Sequence, residues 1–140
     1  DGIRAELLAL PAGPVPEPFI DADDIADVAT ATLTNPALRN HIFEVTGPRA
    51  LSFAEAVDII ATAAGRPVTY QQISPKDFAE SLTPYLPPEM VALLLSLFTE
   101  VLDDRNIATA DGVQQALGRA PRDFADYAAS VAATGVWDAA

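Results

Sequence analysis

Pro18-Phe19-Ile20-Asp21-Ala22-Asp23-Asp24-Ile25-Ala26 is the stretch on which the fold turns. Ahead of it, Pro11, Gly13, Pro14, Pro16 and Pro18 impose an extended connection, because each proline fixes φ and withholds a backbone donor. Phe19 and Ile20 are then predicted to form a short strand. Asp21 or Asp23 caps the helix that follows, and the early carboxylates, Asp24 among them, suit the positive end of its dipole. Ile25, Val28, Ala29, Thr32 and Leu33 fall at i, i+3, i+4, i+7 and i+8, which predicts one apolar face, and Asn35-Pro36 closes the helix.

The same strand-then-helix logic recurs on the C-terminal side. Ile42 to Val45 is β-branched and aromatic enough for a buried strand, Thr46-Gly47-Pro48 turns the chain, and Ser52 with Glu55 forms a capping box. Phe53, Ala56, Val57, Ile60, Ala61 and Ala64 keep helical spacing up to Gly65, placed where a left-handed cap is expected. Val68 to Ile73 alternates as a strand, and Ser74-Pro75 reads as cap plus first helical position. Before the proline-rich connection, Ile3 to Leu10 suits either an extended segment or a broken helix. Beyond Ser74 the chain reads as helical. Pro88 to Leu102 is apolar nearly all round, Asp111 to Leu117 ends at Gly118, and Arg122 to about Ala133 places Phe124, Tyr127, Ala128 and Val131 on one face. The fold class is therefore α/β with a few short strands. The 140 residues read as one domain, with strand and helix units over 1–73 and a helical region over 74–140.

Composition excludes several classes of function. Half the residues are apolar and a fifth charged, a globular balance, and no apolar run reaches the roughly 20 residues that span a bilayer. Eight basic residues against twenty acidic ones give a net charge of -12, which repels a phosphate backbone, so no nucleic acid and no membrane partner is expected. The acidity reads as solubility, since the carboxylates scatter along helix faces. With no cysteine there is no thiol catalysis and no thiolate metal site, and a cytoplasmic location is the expectation. His41 is the sole histidine, so a histidine-rich metal site is impossible and a Ser-His-Asp triad is improbable; His41 reads as a surface or strand-edge residue. Asp21, Asp23 and Asp24 are explained by capping at least as well as by a divalent cation. Asp103-Asp104-Arg105 reads as a solvated helix end.

Four blocks in order, Pro-Phe-Ile-Asp-x-x-Asp-Ile-Ala from Pro18, Val45-Thr46-Gly47-Pro48, Leu51-Ser52-Phe53-Ala54-Glu55 and Gly65-Arg66-Pro67-Val68, resemble NmrA-like proteins in sequence and spacing. Those are NAD(P)-binding members of an atypical branch of the short-chain dehydrogenase/reductases. Leu117-Gly118-Arg119-Ala120-Pro121-Arg122-Asp123-Phe124 is similar to that family's C-terminal Gly-Arg-x-Pro-x-x-Phe element. The resemblance covers almost the whole chain and implies the helix-rich C-terminal half of a Rossmann-like fold. It does not fix the activity, because the family holds reductases of quinones and other small carbonyl compounds beside regulators that bind dinucleotides without turning them over.

The family's cofactor half is not expected in these residues. A dinucleotide diphosphate needs closely spaced glycines at a helix N-terminus, but Gly2, Gly13, Gly47, Gly65, Gly112, Gly118 and Gly135 never fall within five positions of one another. The superfamily's usual proton donor is a tyrosine four residues before a lysine; Lys76, the only lysine, follows Gln72 at that spacing. No catalytic, cofactor-binding or metal-ligating residue is assigned. NAD(P) is implied for the parent protein and none is expected on this chain alone. In the family, the C-terminal helical region shapes the substrate pocket, so Met90, Leu94 and Phe98 at i+4 spacing, with Phe19 and Tyr85 as neighbours, are the candidate pocket residues. The plainer reading of that stripe is core, or a face that packs on the Rossmann half.

Two functional readings follow. The chain is the substrate-binding portion of an NmrA-like NAD(P)-dependent oxidoreductase, not catalytic on its own, taking a small apolar or carbonyl substrate; its start at Asp1 rather than methionine favours a piece of a longer protein. Alternatively it is a regulatory or interaction module of that family binding a partner or an apolar ligand. The expected partners are the missing N-terminal Rossmann half or a second copy, through the apolar 88–102 helix.

Overall fold

A computed structural model describes residues 2–138. Strands β1 (Leu7–Leu10) and β2 (Thr69–Gln72) pair in parallel, with Leu7 opposite Thr69 and Leu10 opposite Gln72. The ladder continues past both ends, through the Thr69 N–H to the Glu6 carbonyl at 2.9 Å and the Ile73 N–H to the Leu10 carbonyl at 3.0 Å. The segment Ile3–Leu10 thus resolves into a turn followed by a strand, with Glu6 at φ 59° redirecting the chain. Parallel strands need a long crossover, and here it carries helices α1 (Ala22–Thr34) and α2 (Phe53–Ala64). After β2 come α3 (Pro75–Leu82), α4 (Pro88–Ser96), α5 (Gly112–Leu117) and α6 (Phe124–Ala132). The architecture is mixed α/β, rich in helix.

Local chemistry starts and stops these helices. Asp21 accepts from the Asp23 N–H at 2.8 Å to cap α1, and Ser74 accepts from the Asp77 N–H at 3.1 Å to cap α3. At α2 the capping box is complete: the Ser52 hydroxyl accepts from the Glu55 N–H while Glu55 accepts from the Ser52 N–H at 2.8 Å. Gly65 ends α2 at φ 66°, a conformation that costs side-chain-bearing residues. Next to it, the Arg66 guanidinium donates to the Ile3 carbonyl at 2.8 Å and the Trp137 carbonyl at 2.6 Å, holding both ends of the described chain against the start of β2. Helix α2 packs on α6 and β2, α1 on α5, and α3 on α4. Val57 and Val113 are among the most deeply buried side chains.

Four local expectations are corrected. Phe19 and Ile20 form no strand; beside them stands a single antiparallel bridge, between Glu17 and Leu51, among the described residues. Ile42 to Val45 is irregular as well, with one bridge from Val45 to Asp111, and Ile42 is 96% exposed. Strand propensity is expressed only against a neighbouring strand, and among the described residues none lies beside this segment. On α1 the buried residues are Asp24 and Val28, whereas Ile25 and Leu33 are exposed, because an ionic contact of Asp24 turns that side of the helix inward. The long helix expected over Pro88 to Leu102 is α-helical only to Ser96 and then widens into a π turn over Leu97–Val101. Met90, Leu93 and Leu97 remain exposed on it. Among the described residues, no helix is long and apolar enough to cross a membrane.

Candidate functional site

The site begins with how the segment 17–20 is pinned. Glu17 exchanges two backbone hydrogen bonds with Leu51, at 2.9 and 3.0 Å, and the Gly47 N–H donates to the Pro18 carbonyl at 3.2 Å. Gly47 is required by this approach, since a Cβ there would sit 1.8 Å from the Phe19 carbonyl oxygen. The turn is held from its other side by Thr46, whose hydroxyl accepts from the Ala110 N–H at 2.9 Å and is buried.

With its backbone fixed, Phe19 becomes the centre of a run of aromatic rings. It meets Phe53 edge-on at 5.3 Å between centroids and Phe124 at 5.5 Å. Phe53 and Phe124 are each the first residue of a helix, aimed by the caps Ser52 and Asp123 that precede them. From Phe53 the run passes to Phe98 in the π turn at 5.9 Å, then to buried Phe78 of α3 at 5.4 Å; from Phe124 it passes to Tyr127 at 5.7 Å. Ring pairs at these separations attract beyond their area burial.

Phe19 stands between two hollows. The larger, of about 630 Å³, is walled by Phe19, Phe53, Leu97, Phe98, Val101 and Leu102, with Glu17, Glu44, Arg105 and Asn106 as polar members. The smaller, of about 250 Å³, lies among Phe19, Ile20, Ala22, Arg122, Phe124 and Tyr127. Of the candidate pocket residues, Phe19 and Phe98 share the larger cleft. Tyr85 is 82% exposed, and Tyr85, Met90 and Leu94 are not on its lining. The π turn directs Phe98 into the cleft while Met90 stays exposed.

Charge is distributed unevenly around the site. Asp24 is fully buried and receives the Arg122 N–H at 2.7 Å, the Arg119 guanidinium at 2.7 Å and the Arg122 guanidinium; Asp27 binds the same two arginines at 2.7 and 3.2 Å. Burial works against the charge of Asp24, but the Arg122 backbone and the two guanidiniums outweigh it and hold the carboxyl below its ordinary range. Asp123 is drawn down to about 2, chiefly by its paired hydrogen bonds from Arg49. Glu17 moves the other way, since burial first and Asp103 second push its carboxyl up. Its Oε1 is buried without a hydrogen-bond partner.

Sequence reasoning had left out Glu17, Phe53 and Phe124 as site residues. The available signal was positional, because an aromatic residue directly after a capping Ser or Asp occurs twice, at Ser52-Phe53 and Asp123-Phe124. Among the described residues, no group of three or more His, Asp or Glu is arranged to hold a metal ion. His41 is exposed, with Nδ1 3.0 Å from the Arg39 carbonyl.

No family model matches the chain. Relatives are nonetheless clear. An NAD(P)H azoreductase of Xenophilus azovorans is 38% identical over 125 residues, covering 89% of this chain and 44% of the relative. Festuclavine dehydrogenase of Aspergillus fumigatus is 36% identical over 114 residues, covering 79% of this chain and 39% of the relative. In fold, the chain is similar to an NADPH-dependent quinone oxidoreductase of Escherichia coli solved with NADPH, at a TM-score of 0.80 and 17% identity, over 93% of this chain and 46% of that one. The chain spans less than half the length of each of them. It is thus related to the NmrA-like NAD(P)H oxidoreductases, an atypical branch of the short-chain dehydrogenase/reductases, and corresponds to part of their fold.

Proposed function

We propose that this chain is the substrate-binding portion of an NmrA-like NAD(P)-dependent oxidoreductase and that its larger cleft takes a small, flat, apolar or carbonyl substrate. The observation that carries the reading is the aromatic wall of Phe19, Phe53 and Phe98 around about 630 Å³, a size and lining typical of small-molecule sites. The relatives' own names, azoreductase and quinone oxidoreductase, point to conjugated acceptors of that shape.

The sequence has no closely spaced glycines of the kind that cradle a dinucleotide diphosphate. Helices α1, α2, α3 and α6 each have one early N–H engaged by their own Asp or Ser, α4 and α5 have no such cap, and carboxylates at the start of α1 oppose a diphosphate. Lys76 is exposed and lies 3.7 Å from Glu80. What this chain supplies is orientation and exclusion of water around an acceptor, and no cofactor step is assigned to it.

The test is a pair of titrations on the 140-residue chain. 2-Acetylnaphthalene is expected to saturate and to shift the ring resonances of Phe19 and Phe98, whereas NADPH fluorescence shows no saturable binding. Micromolar NADPH binding, or acetylnaphthalene shifts confined to residues away from the cleft, would sink the reading.

A further inference from the structure

We propose that Glu17 is the polar recognition group of the larger cleft and that it selects an aromatic ligand carrying an ammonium or other protonated nitrogen. This rests on the cleft being the substrate site and adds the class of molecule it prefers.

The position of Glu17 is set by the backbone. Pro16 and Pro18 flank it, and two hydrogen bonds to Leu51 fix its backbone between them. Glu17 is on the cleft lining, and its Oε1 is buried with no donor among the described residues. A carboxylate that no donor of the protein meets is costly to keep charged beside apolar rings, and a ligand that brings a donor to the carboxyl group as its side chain adjusts offsets that cost.

The chain does not supply that donor itself. Arg105, the cation on the cleft lining, gives its Nε and Nη2 to Asp103 at 2.7 and 2.5 Å. Glu44 and Asp103 add negative charge near Glu17. An anionic ligand is repelled, a neutral one gains an ordinary hydrogen bond, and an ammonium gains a charge-assisted one. The faces of Phe19, Phe53 and Phe98 also attract a cation, and the net charge of -12 concentrates cations near the surface.

The experiment compares 2-naphthylmethylamine with 2-naphthylmethanol, two probes of one shape that differ in the cationic nitrogen, by calorimetric titration of the chain and of Glu17→Gln. The amine is expected to bind about tenfold tighter than the alcohol. Glu17→Gln should erase that preference by weakening the amine about tenfold more than the alcohol. A preference that is absent, or that survives Glu17→Gln, overturns the role of Glu17 while alcohol binding keeps the cleft reading intact; binding of neither probe overturns both. Should Glu17→Gln fail to fold, the carboxyl carbon resonance of Glu17 in the unsubstituted chain decides the matter. It should move with the amine and stay with the alcohol, and equal response to both counts against the proposal.

Discussion

Arg49 and Asp123 are joined by two parallel hydrogen bonds, Nε to Oδ2 at 2.7 Å and Nη2 to Oδ1 at 2.8 Å, across a separation of 74 residues. The same Asp123 oxygen accepts from the Ala125 N–H at 2.8 Å and so starts α6, the helix whose first residue is Phe124. One ion pair therefore ties the turn after Gly47 to an aromatic wall.

Its pH dependence has a definite sign. A carboxyl lowered to about 2 in the folded chain stabilises it above the ordinary aspartate pKa, and that contribution is lost as pH falls through the folded value. Arg49 is half exposed, so the pair is worth about 1 kcal/mol after solvent screening. Urea midpoints measured from pH 5 to pH 2 should fall less steeply in Arg49→Met, and Asp123 should titrate higher in that variant than in the unsubstituted chain. An unchanged Asp123 titration would refute the assignment.

Asp24 and Asp27 provide a paired comparison, since both bind Arg119 and Arg122 but only Asp24 is buried. Asp24→Ala removes the buried carboxylate that receives the Arg122 N–H, leaves that N–H without its partner while Asp27 keeps both guanidiniums paired, and should cost about 1 to 3 kcal/mol. Asp27→Ala should cost under about 1 kcal/mol. Chemical denaturation of both variants checks the contrast, and equal losses would contradict it.

Gly47→Ala sets a Cβ against the Phe19 carbonyl oxygen, where neither backbone can yield without moving the other. A loss of about 1 to 3 kcal/mol is expected from overpacking. Because the displaced backbone carries Phe19, naphthylmethanol affinity should fall along with the thermal midpoint. A drop in stability with affinity intact would separate Gly47 from the cleft.

Phe98→Leu keeps the apolar wall and removes a ring, so stability should change by under about 1.5 kcal/mol. Affinity for naphthylmethanol should weaken by about 0.5 to 1.5 kcal/mol, the worth of one aromatic pair. Tyr85→Ala, at an exposed position away from the cleft, should leave binding unchanged. Calorimetry on both variants tests the boundary of the site.

What was legible in the sequence was what local chemistry decides. Ser52, Glu55 and Gly65 bracket α2 because each cap is made within three or four residues, and β2 falls inside the alternating run from Val68 to Ile73. The facing of α1 was not legible, since Arg119 and Arg122 lie 95 and 98 residues from Asp24 and no periodicity reports a partner at that distance. Ile42 to Val45 had the residue types of a strand without a neighbour to pair with. Glu17 gave no signal either, because its unpaired oxygen is a property of the folded surroundings and not of the flanking prolines.

The widened turn at Leu97–Val101 places Phe98 by a count of residues. A π turn holds one residue more than α geometry accommodates over the same rise, and each residue advances an α-helix by about 100°. Loss of a single residue from that turn would restore regular winding and rotate the residues beyond the deletion by about 100° relative to α4, changing which side chains face the cleft. A chain differing in this stretch by one residue would then present a differently shaped cavity from the same aromatic set, so the length of the helix bears on the shape of the cleft.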